Sequence, residues 1–65
     1  MTIEKATYSV EELAEYLGVD TELIYSLTLR NDIPHIRIDT RILFKKTSIE
    51  KWLDEKETQN YAWLK

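Results

Sequence analysis

The sequence predicts a small α+β domain: two helices joined by a tight turn, then a two-stranded antiparallel hairpin, then a C-terminal helix. Three observations support this prediction. Helix-start signals at Ser9 and Asp20 lie on either side of the chain's one glycine, Gly18. After Pro34 the hydrophobic period changes from 3.6 to 2, and a third helix-start signal follows at Thr47.

The length and composition limit the class of protein. Sixty-five residues, 43% hydrophobic and 32% charged, predict one domain over residues 1–65. The chain has no cysteine and a single histidine, His35, so we expect no disulfide and no metal site. No apolar run approaches the roughly 20 residues of a membrane helix, and no signal-peptide pattern opens the sequence. We therefore expect a cytoplasmic binding module without cofactor or small-molecule substrate, and not an enzyme.

The first helix has both a start and a stop signal. Ser9 with Glu12 three residues later forms a capping box. Gly18 is expected to end the helix in the left-handed conformation. Between them, apolar residues recur at helical spacing: Val10, Leu13, Ala14 and Leu17.

The second helix begins after Asp20, a second N-cap, so the connection between the helices is about three residues long. This helix is expected to end near Asn31, and Pro34 prevents it from continuing. Its expected inward stripe is Leu23, Ile24 and Leu27, with Thr28 at the edge. Two helices around such a turn, at about residues 9–31, form a helix-turn-helix. A plain helical hairpin remains the alternative.

A hairpin is predicted at about residues 35–45. If all its apolar residues share the core face, Ile38 opposes Ile42 and Ile36 opposes Phe44. This register requires a three-residue loop, 39–41. The outer face would then be a basic wing made of Arg37, Leu43 and Lys45, with Arg41 at its tip and Lys46 directly after it.

The last helix is expected at about residues 48–58. A second capping box begins at Thr47, and the expected buried row is Ile49, Trp52 and Leu53. A tail of residues 59–65 follows. Its apolar residues either pack back on the domain or bind a partner, and they are Tyr61, Trp63 and Leu64.

Charge is unevenly distributed along the chain, although the net charge is only −3. Residues 1–24 contain six acidic residues and one basic residue, a local charge of −5. Residues 25–51 contain six basic and three acidic residues, a local charge of +3. Because a phosphate backbone responds to the local field, the middle of the chain is the part suited to nucleic acid.

The order and spacing of these elements are similar to those of a known family. The matching residues are Tyr8–Ala14, Leu17–Val19, Ile24–Leu27, Asn31–Pro34, Ile36–Ile38, Arg41, Phe44 and Ile49–Leu53. Together they resemble the excisionase-family DNA-binding domain, a relative of the MerR-like winged helix. The resemblance spans roughly residues 7 to 55 and implies a winged helix-turn-helix fold.

The expected interface with DNA follows from this resemblance. The second helix would lie in the major groove, with the wing on the adjacent backbone or minor groove. Arg30 would contact a phosphate or a guanine, and Glu22 would accept from a cytosine amine. The full set of expected DNA-binding residues is Thr21, Glu22, Tyr25, Ser26, Arg30, Arg37, Thr40, Arg41, Lys45 and Lys46.

The resemblance also implies a biological role. It favours sequence-specific binding of double-stranded DNA by a recombination directionality factor, or by a transcriptional regulator, of a phage or other mobile element. The partners would be an integrase or neighbouring copies of the same protein. The alternative function is a protein–protein interaction module that keeps the winged-helix fold. It is favoured by the acidic first third of the chain and by the outward Leu29 beside Tyr25, and it would use Tyr61, Trp63 and Leu64 for docking.

Overall fold

The computed structural model describes residues 5–63, with side chains through Gln59. It confirms the predicted α+β winged helix-turn-helix and adds one short strand. The elements in chain order are β1 (Thr7–Tyr8), α1 (Val10–Leu17), α2 (Thr21–Leu29), β2 (Ile36–Ile38), β3 (Arg41–Lys45) and α3 (Lys46–Trp63).

Helix α1 begins and ends as the sequence predicts. The Ser9 hydroxyl accepts from the backbone N–H of Glu12 at 3.1 Å, and the Glu12 carboxylate accepts from the N–H of Ser9 at 2.9 Å. At the other end Gly18 has a φ of 72°. The N–H groups of Gly18 and Val19 donate to the carbonyls of Glu15 and Ala14, which is the Schellman arrangement. The turn into α2 is therefore fixed by backbone hydrogen bonds.

Helix α2 is capped at both ends. The Asp20 carboxylate accepts from the N–H of Leu23 at 3.0 Å. At the C-terminus Asn31 has a φ of 57°, and the N–H groups of Asn31 and Asp32 donate to the carbonyls of Thr28 and Leu27. This is a second Schellman arrangement, with asparagine in place of glycine because its short polar side chain tolerates the left-handed region.

The sheet contains three strands in the order β1-β3-β2. The sequence analysis did not identify β1, which pairs antiparallel with β3 through Thr7 with Lys45 and Tyr8 with Phe44. Two residues carry too little alternation to be recognised as a strand. The pairing places the strand that precedes the helix-turn-helix beside the wing and joins the two halves of the domain.

The predicted three-residue wing loop is wrong. Ile38 pairs with Arg41, and Arg37 pairs with Ile42, so the loop has two residues, Asp39 and Thr40. Asp39 adopts a φ of 56°, a conformation that aspartate tolerates better than most residues. The prediction assumed that all four apolar residues of the hairpin face the core, whereas every residue of β2 is exposed.

Helix α3 differs from its prediction at both ends. It begins at Lys46, directly after β3, so the segment from Thr47 to Glu50 lies inside the helix and does not cap it. The Lys46 N–H donates instead to the carbonyl of Ala6 at 2.9 Å. The helix continues to Trp63, beyond the expected end near residue 58. Of the predicted tail residues, Leu64 and the side chains of Tyr61 and Trp63 lie outside the described part.

The core lies where α1, α2, β3 and α3 meet. Its buried side chains are Val10, Leu13, Ala14, Ile24, Ile33, Phe44 and Ile49. Trp52 and Leu53 pack against this cluster but are half-buried. Because all four elements contribute, the position of α2 relative to the wing is fixed by the same core.

Candidate nucleic-acid interface

The outward face of α2 is defined by the side of the helix that is buried. Ile24 is fully buried, and Thr28, one turn further along the helix, is only 8% exposed. On the opposite side Glu22, Ser26 and Leu29 follow one another at intervals of four and three residues, so they form one exposed row. Arg30 lies beside this row at the C-terminal end of the helix. The row is accessible along the whole length of the helix.

Leu23 lies outside the core, contrary to prediction. Its side chain is 42% exposed, and Thr28, expected at the edge, takes the inward position with Ile24. Burial of Thr28 is tolerated because its hydroxyl donates to the Tyr25 carbonyl at 2.7 Å. Leu23 and Leu27 are also four residues apart, so spacing alone could not identify the buried side of α2.

Other expected contact residues of α2 lie around this row. Thr21 is half-buried at the first position of the helix, and Tyr25 is 44% exposed. The Arg30 guanidinium lies 3.4 Å from the Asp32 carboxylate, with both side chains more than half exposed. An exposed pair of this kind contributes little stability, so Arg30 can exchange this carboxylate for a phosphate or a base.

The two-residue loop changes which wing residues share a face. Residues paired across a hairpin point to the same side, so Ile38 and Arg41 share one face with Ile36, Leu43 and Lys45. Arg41 and Lys45 are both exposed there, as expected.

Arg37 is separated from the other wing bases. It pairs with Ile42 and is therefore on the side opposite Arg41 and Lys45, contrary to the prediction that it lies on the outer face with Leu43 and Lys45. Arg41 is the first residue of β3 and not the tip, which is formed by Asp39 and the exposed Thr40.

Lys46 has a partner within the protein. Its ammonium group lies 5.2 Å from the centre of the Tyr8 ring, and the side chain is half-buried. The Tyr8 ring in turn stacks on Tyr16 at 5.1 Å. The Tyr16 hydroxyl donates to the Glu50 carboxylate at 3.5 Å, and the charge of Glu50 raises the pKa of Tyr16. Lys46 thus belongs to a cluster between β1, α1 and α3.

Helix α1 carries acidic residues and no basic ones. Glu11, Glu12 and Glu15 are all exposed there. Glu12 accepts from the Lys5 ammonium at 2.8 Å, and this hydrogen bond, with that from the Ser9 N–H, lowers the pKa of Glu12 to about 2. The basic residues Arg41 and Lys45 lie on β3, and Arg30 directly follows α2, whose one charged residue is Glu22, so the wing is the basic part of this surface.

The described residues give no sign of two other kinds of site. Within residues 5–59, no group of three or more His, Cys, Asp or Glu side chains is arranged to hold a metal ion. Among the helices described, none combines the length and apolar character needed to cross a membrane.

The chain matches the model of a known family. A family model described as a helix-turn-helix domain matches residues 7–57, which is most of the chain and includes every element from β1 through the first two-thirds of α3. No curated protein and no solved structure matches the chain.

Proposed function

This chain belongs to the helix-turn-helix domain family, and from that premise we propose that it binds double-stranded DNA in a sequence-specific manner. In this proposal α2 enters the major groove, and the outer face of the β2–β3 wing lies along the adjacent backbone or minor groove. The proposal extends the DNA-binding character of the family to particular residues of this chain.

One observation carries the proposal. The exposed row of α2 ends beside Arg30, and the outer wing face presents Arg41 and Lys45, whereas the exposed acids Glu11 and Glu15 are on α1. A phosphate backbone docking on the wing and on the C-terminal end of α2 would therefore meet Arg41, Lys45 and Arg30, in spite of the net charge of −3 and of Glu22 in the exposed row.

The side chains of α2 supply the groups that read bases. Glu22 is suited to accept from a cytosine amine, and Arg30 to donate to guanine O6 and N7. Ser26, in the centre of the exposed row, suits a base edge. Thr21 and Tyr25 lie nearer the margins of the helix and suit phosphate oxygens through their hydroxyl groups.

The wing supplies contacts that position the protein. Arg41 and Lys45 share one face and can reach one stretch of backbone, while Thr40 in the turn can approach the minor groove. Arg37 points from the other face of the hairpin and Lys46 lies over Tyr8, so each would reach DNA only through a change of rotamer. Of the proposed DNA-binding residues, Arg37 and Lys46 therefore have the least support from the structure.

The biological role that we infer is that of an excisionase-like protein. A nine-residue recognition helix and a short wing offer few base contacts, so useful affinity would require several copies on adjacent sites or a second DNA-binding partner such as an integrase. Control of excision and control of transcription both fit this mode of binding, because both require a small protein to occupy a few neighbouring sites.

The second candidate function is protein–protein interaction. It is favoured by Ile36 and Ile38 of β2, whose side chains are 39% and 57% exposed. In that case the wing would dock on a partner through apolar contact, and DNA binding would be weak or absent.

A titration against DNA at two salt concentrations tests the proposed function. Sites would first be selected from a random duplex library, and binding would be followed by gel shift at about 50 and 200 mM salt. A steep fall of affinity with salt, and preference for selected over scrambled duplexes, is the expected result. Binding that is absent, or insensitive to salt, would contradict the proposal and favour a protein partner.

A further inference from the structure

Exposed apolar side chains are concentrated on two elements. Six large hydrophobic residues of the described chain are notably exposed, and five of them are on α2 and β2. Single exposed leucines are ordinary on protein surfaces, but several exposed apolar side chains on the same helix or strand require an explanation. The six are Tyr16, Leu23, Tyr25, Leu29, Ile36 and Ile38.

Leu29 is the extreme member of this set. Its side chain is 83% exposed, so it adds almost nothing to the core. It has no place in the cap that ends α2, because that cap joins the N–H groups of Asn31 and Asp32 to the carbonyls of Thr28 and Leu27. Neither packing nor helix termination therefore requires a leucine at this position.

The position of Leu29 on the helix points to the ligand. It lies in the exposed row with Glu22 and Ser26, and it is followed by Arg30. At 1.5 Å per residue α2 is about 13 Å long, and the major groove, ~12 Å wide, admits an α-helix. A helix this short that lies along the groove can bring its whole outward row to the base edges, including the last residue.

The chemistry of the row fits a base-pair surface better than a protein surface. The neighbours of Leu29 on the helix surface are the hydroxyl-bearing Tyr25 and Ser26 and the guanidinium of Arg30, with the Glu22 carboxylate two turns away, and an apolar docking face would not carry so many polar groups. In the major groove, by contrast, the thymine 5-methyl group is an isolated apolar patch among hydrogen-bond donors and acceptors. A single leucine within a polar row is complementary to that pattern.

We propose that Leu29 reads the 5-methyl group of a thymine in the major groove. This inference rests on the proposed function, since it requires α2 to bind DNA. Glu22 and Leu29 are seven residues apart, about 10 Å along the helix, which corresponds to roughly three base-pair steps. The thymine therefore lies about three base pairs from the position that Glu22 faces.

Methyl deletion in the DNA tests this proposal. Each thymine of a selected duplex is replaced in turn by deoxyuridine, which removes only the methyl group, and affinity is measured for the wild type and for Leu29→Ala. One substitution should weaken wild-type binding by about fourfold, the effect of losing one buried methyl contact. Leu29→Ala should bind the unmodified and that modified duplex equally well.

Ile38→Ala is the matched control. It shortens another exposed aliphatic side chain, on the wing and outside α2, so it should keep the wild-type difference between thymine and deoxyuridine. Because Leu29 and Ile38 are both largely exposed, both variants should keep wild-type thermal stability.

The remaining outcomes separate the inference from the proposed function. If the wild type binds its selected site but no deoxyuridine substitution weakens binding, or if Leu29→Ala keeps the full methyl effect, the inference is wrong and DNA binding stands. If Leu29→Ala binds DNA normally but loses self-association, Leu29 contacts protein and the inference is wrong. If the wild type binds no duplex, the proposed function and the inference both fail.

Discussion

The indole N–H of Trp52 donates a hydrogen bond of 2.9 Å to the backbone carbonyl of Asp32. This bond joins α3 to the residue that follows the left-handed Asn31 at the end of α2, and Ile33 is buried directly afterwards. Half-buried Trp52 therefore holds the C-terminal end of the helix that we propose to enter the major groove. The orientation of α2 depends on α3, which is distant in sequence.

The first prediction concerns the two roles of Trp52. Trp52→Phe keeps an aromatic ring but removes the donor and should cost about 1 kcal/mol of the free energy of unfolding. Trp52→Ala also removes the packing and should cost about 3 kcal/mol, near the lower end for a large aromatic because the ring is half-buried. Urea unfolding followed by circular dichroism measures both, and equal stabilities of the two variants would show that the ring does not pack on the core.

The second prediction concerns Gly18. A Cβ at this position would meet no atom within 4 Å, so the cost of Gly18→Ala comes from the φ of 72° alone. We expect a loss of about 1 kcal/mol for Gly18→Ala and a smaller loss for Gly18→Asn, because asparagine tolerates the left-handed region. Thermal unfolding of the two variants checks this order. Greater stability of the alanine variant would mean that α1 ends differently.

The third prediction concerns pH. The pKa of Glu12 is lowered to about 2 in the folded protein, first by the hydrogen bond from Lys5 and then by that from the Ser9 N–H. Its folded pKa lies below its unfolded value of about 4.5, so its contribution to stability is complete above pH 4.5 and is lost as the pH falls toward 2. Urea unfolding of wild type and Glu12→Gln should therefore converge in this window.

The control for this pH dependence is Glu11→Gln, which removes a carboxylate from the same helical turn. Its difference from wild type should vary less between pH 5 and pH 2 than that of Glu12→Gln. If both variants follow the same curve, the interaction between Glu12 and Lys5 does not persist in solution.

The fourth prediction uses the two faces of the wing. Arg41→Ala should weaken binding to all duplexes and reduce the slope of log affinity against log salt by about one unit, as expected for a lost phosphate contact. Arg37→Ala removes the same charge from the opposite face of the hairpin and should reduce the slope less. Equal effects of the two variants would show that charge acts only at long range.

Arg30 differs from Arg41 in the kind of contact that we propose. If Arg30 reads guanine, Arg30→Ala should cost about 1–3 kcal/mol of binding free energy on the selected site and relax the preference at one base pair. The comparison of selected with scrambled duplexes measures this loss. A uniform loss across sequences would instead place Arg30 on a phosphate.

The fifth prediction concerns the C-terminal segment, where the sequence left two possibilities for Tyr61, Trp63 and Leu64. If these residues complete the core, deletion of residues 60–65 should lower the melting temperature and DNA affinity together. If they bind an integrase or a neighbouring copy, deletion should spare folding and single-site binding and remove only cooperative binding. Amide exchange at residues 58–65 of the intact protein distinguishes the two, because packed segments are protected.

Local signals in the sequence determined the helical half of the molecule. Ser9 with Glu12, Gly18 and Asp20 act within one or two turns, so their capping roles were predictable from neighbouring residues and were confirmed. The alternation around Ile36 and Phe44 likewise predicted a hairpin. Glu22 and Ser26, expected on the outward side of α2, are exposed there.

Tertiary structure decided which face of each strand and helix is buried. The wing register depends on how much of the hairpin α1 and α3 can cover, and they cover Phe44 but leave Ile36 and Ile38 exposed. For the same reason Arg37 lies on the face of the hairpin opposite Arg41, and Thr28, not Leu23, is buried beside Ile24. The spacing of apolar residues indicates that a helix or strand has a buried face. Which side is buried is decided by the packed core, because burial depends on elements far apart in sequence.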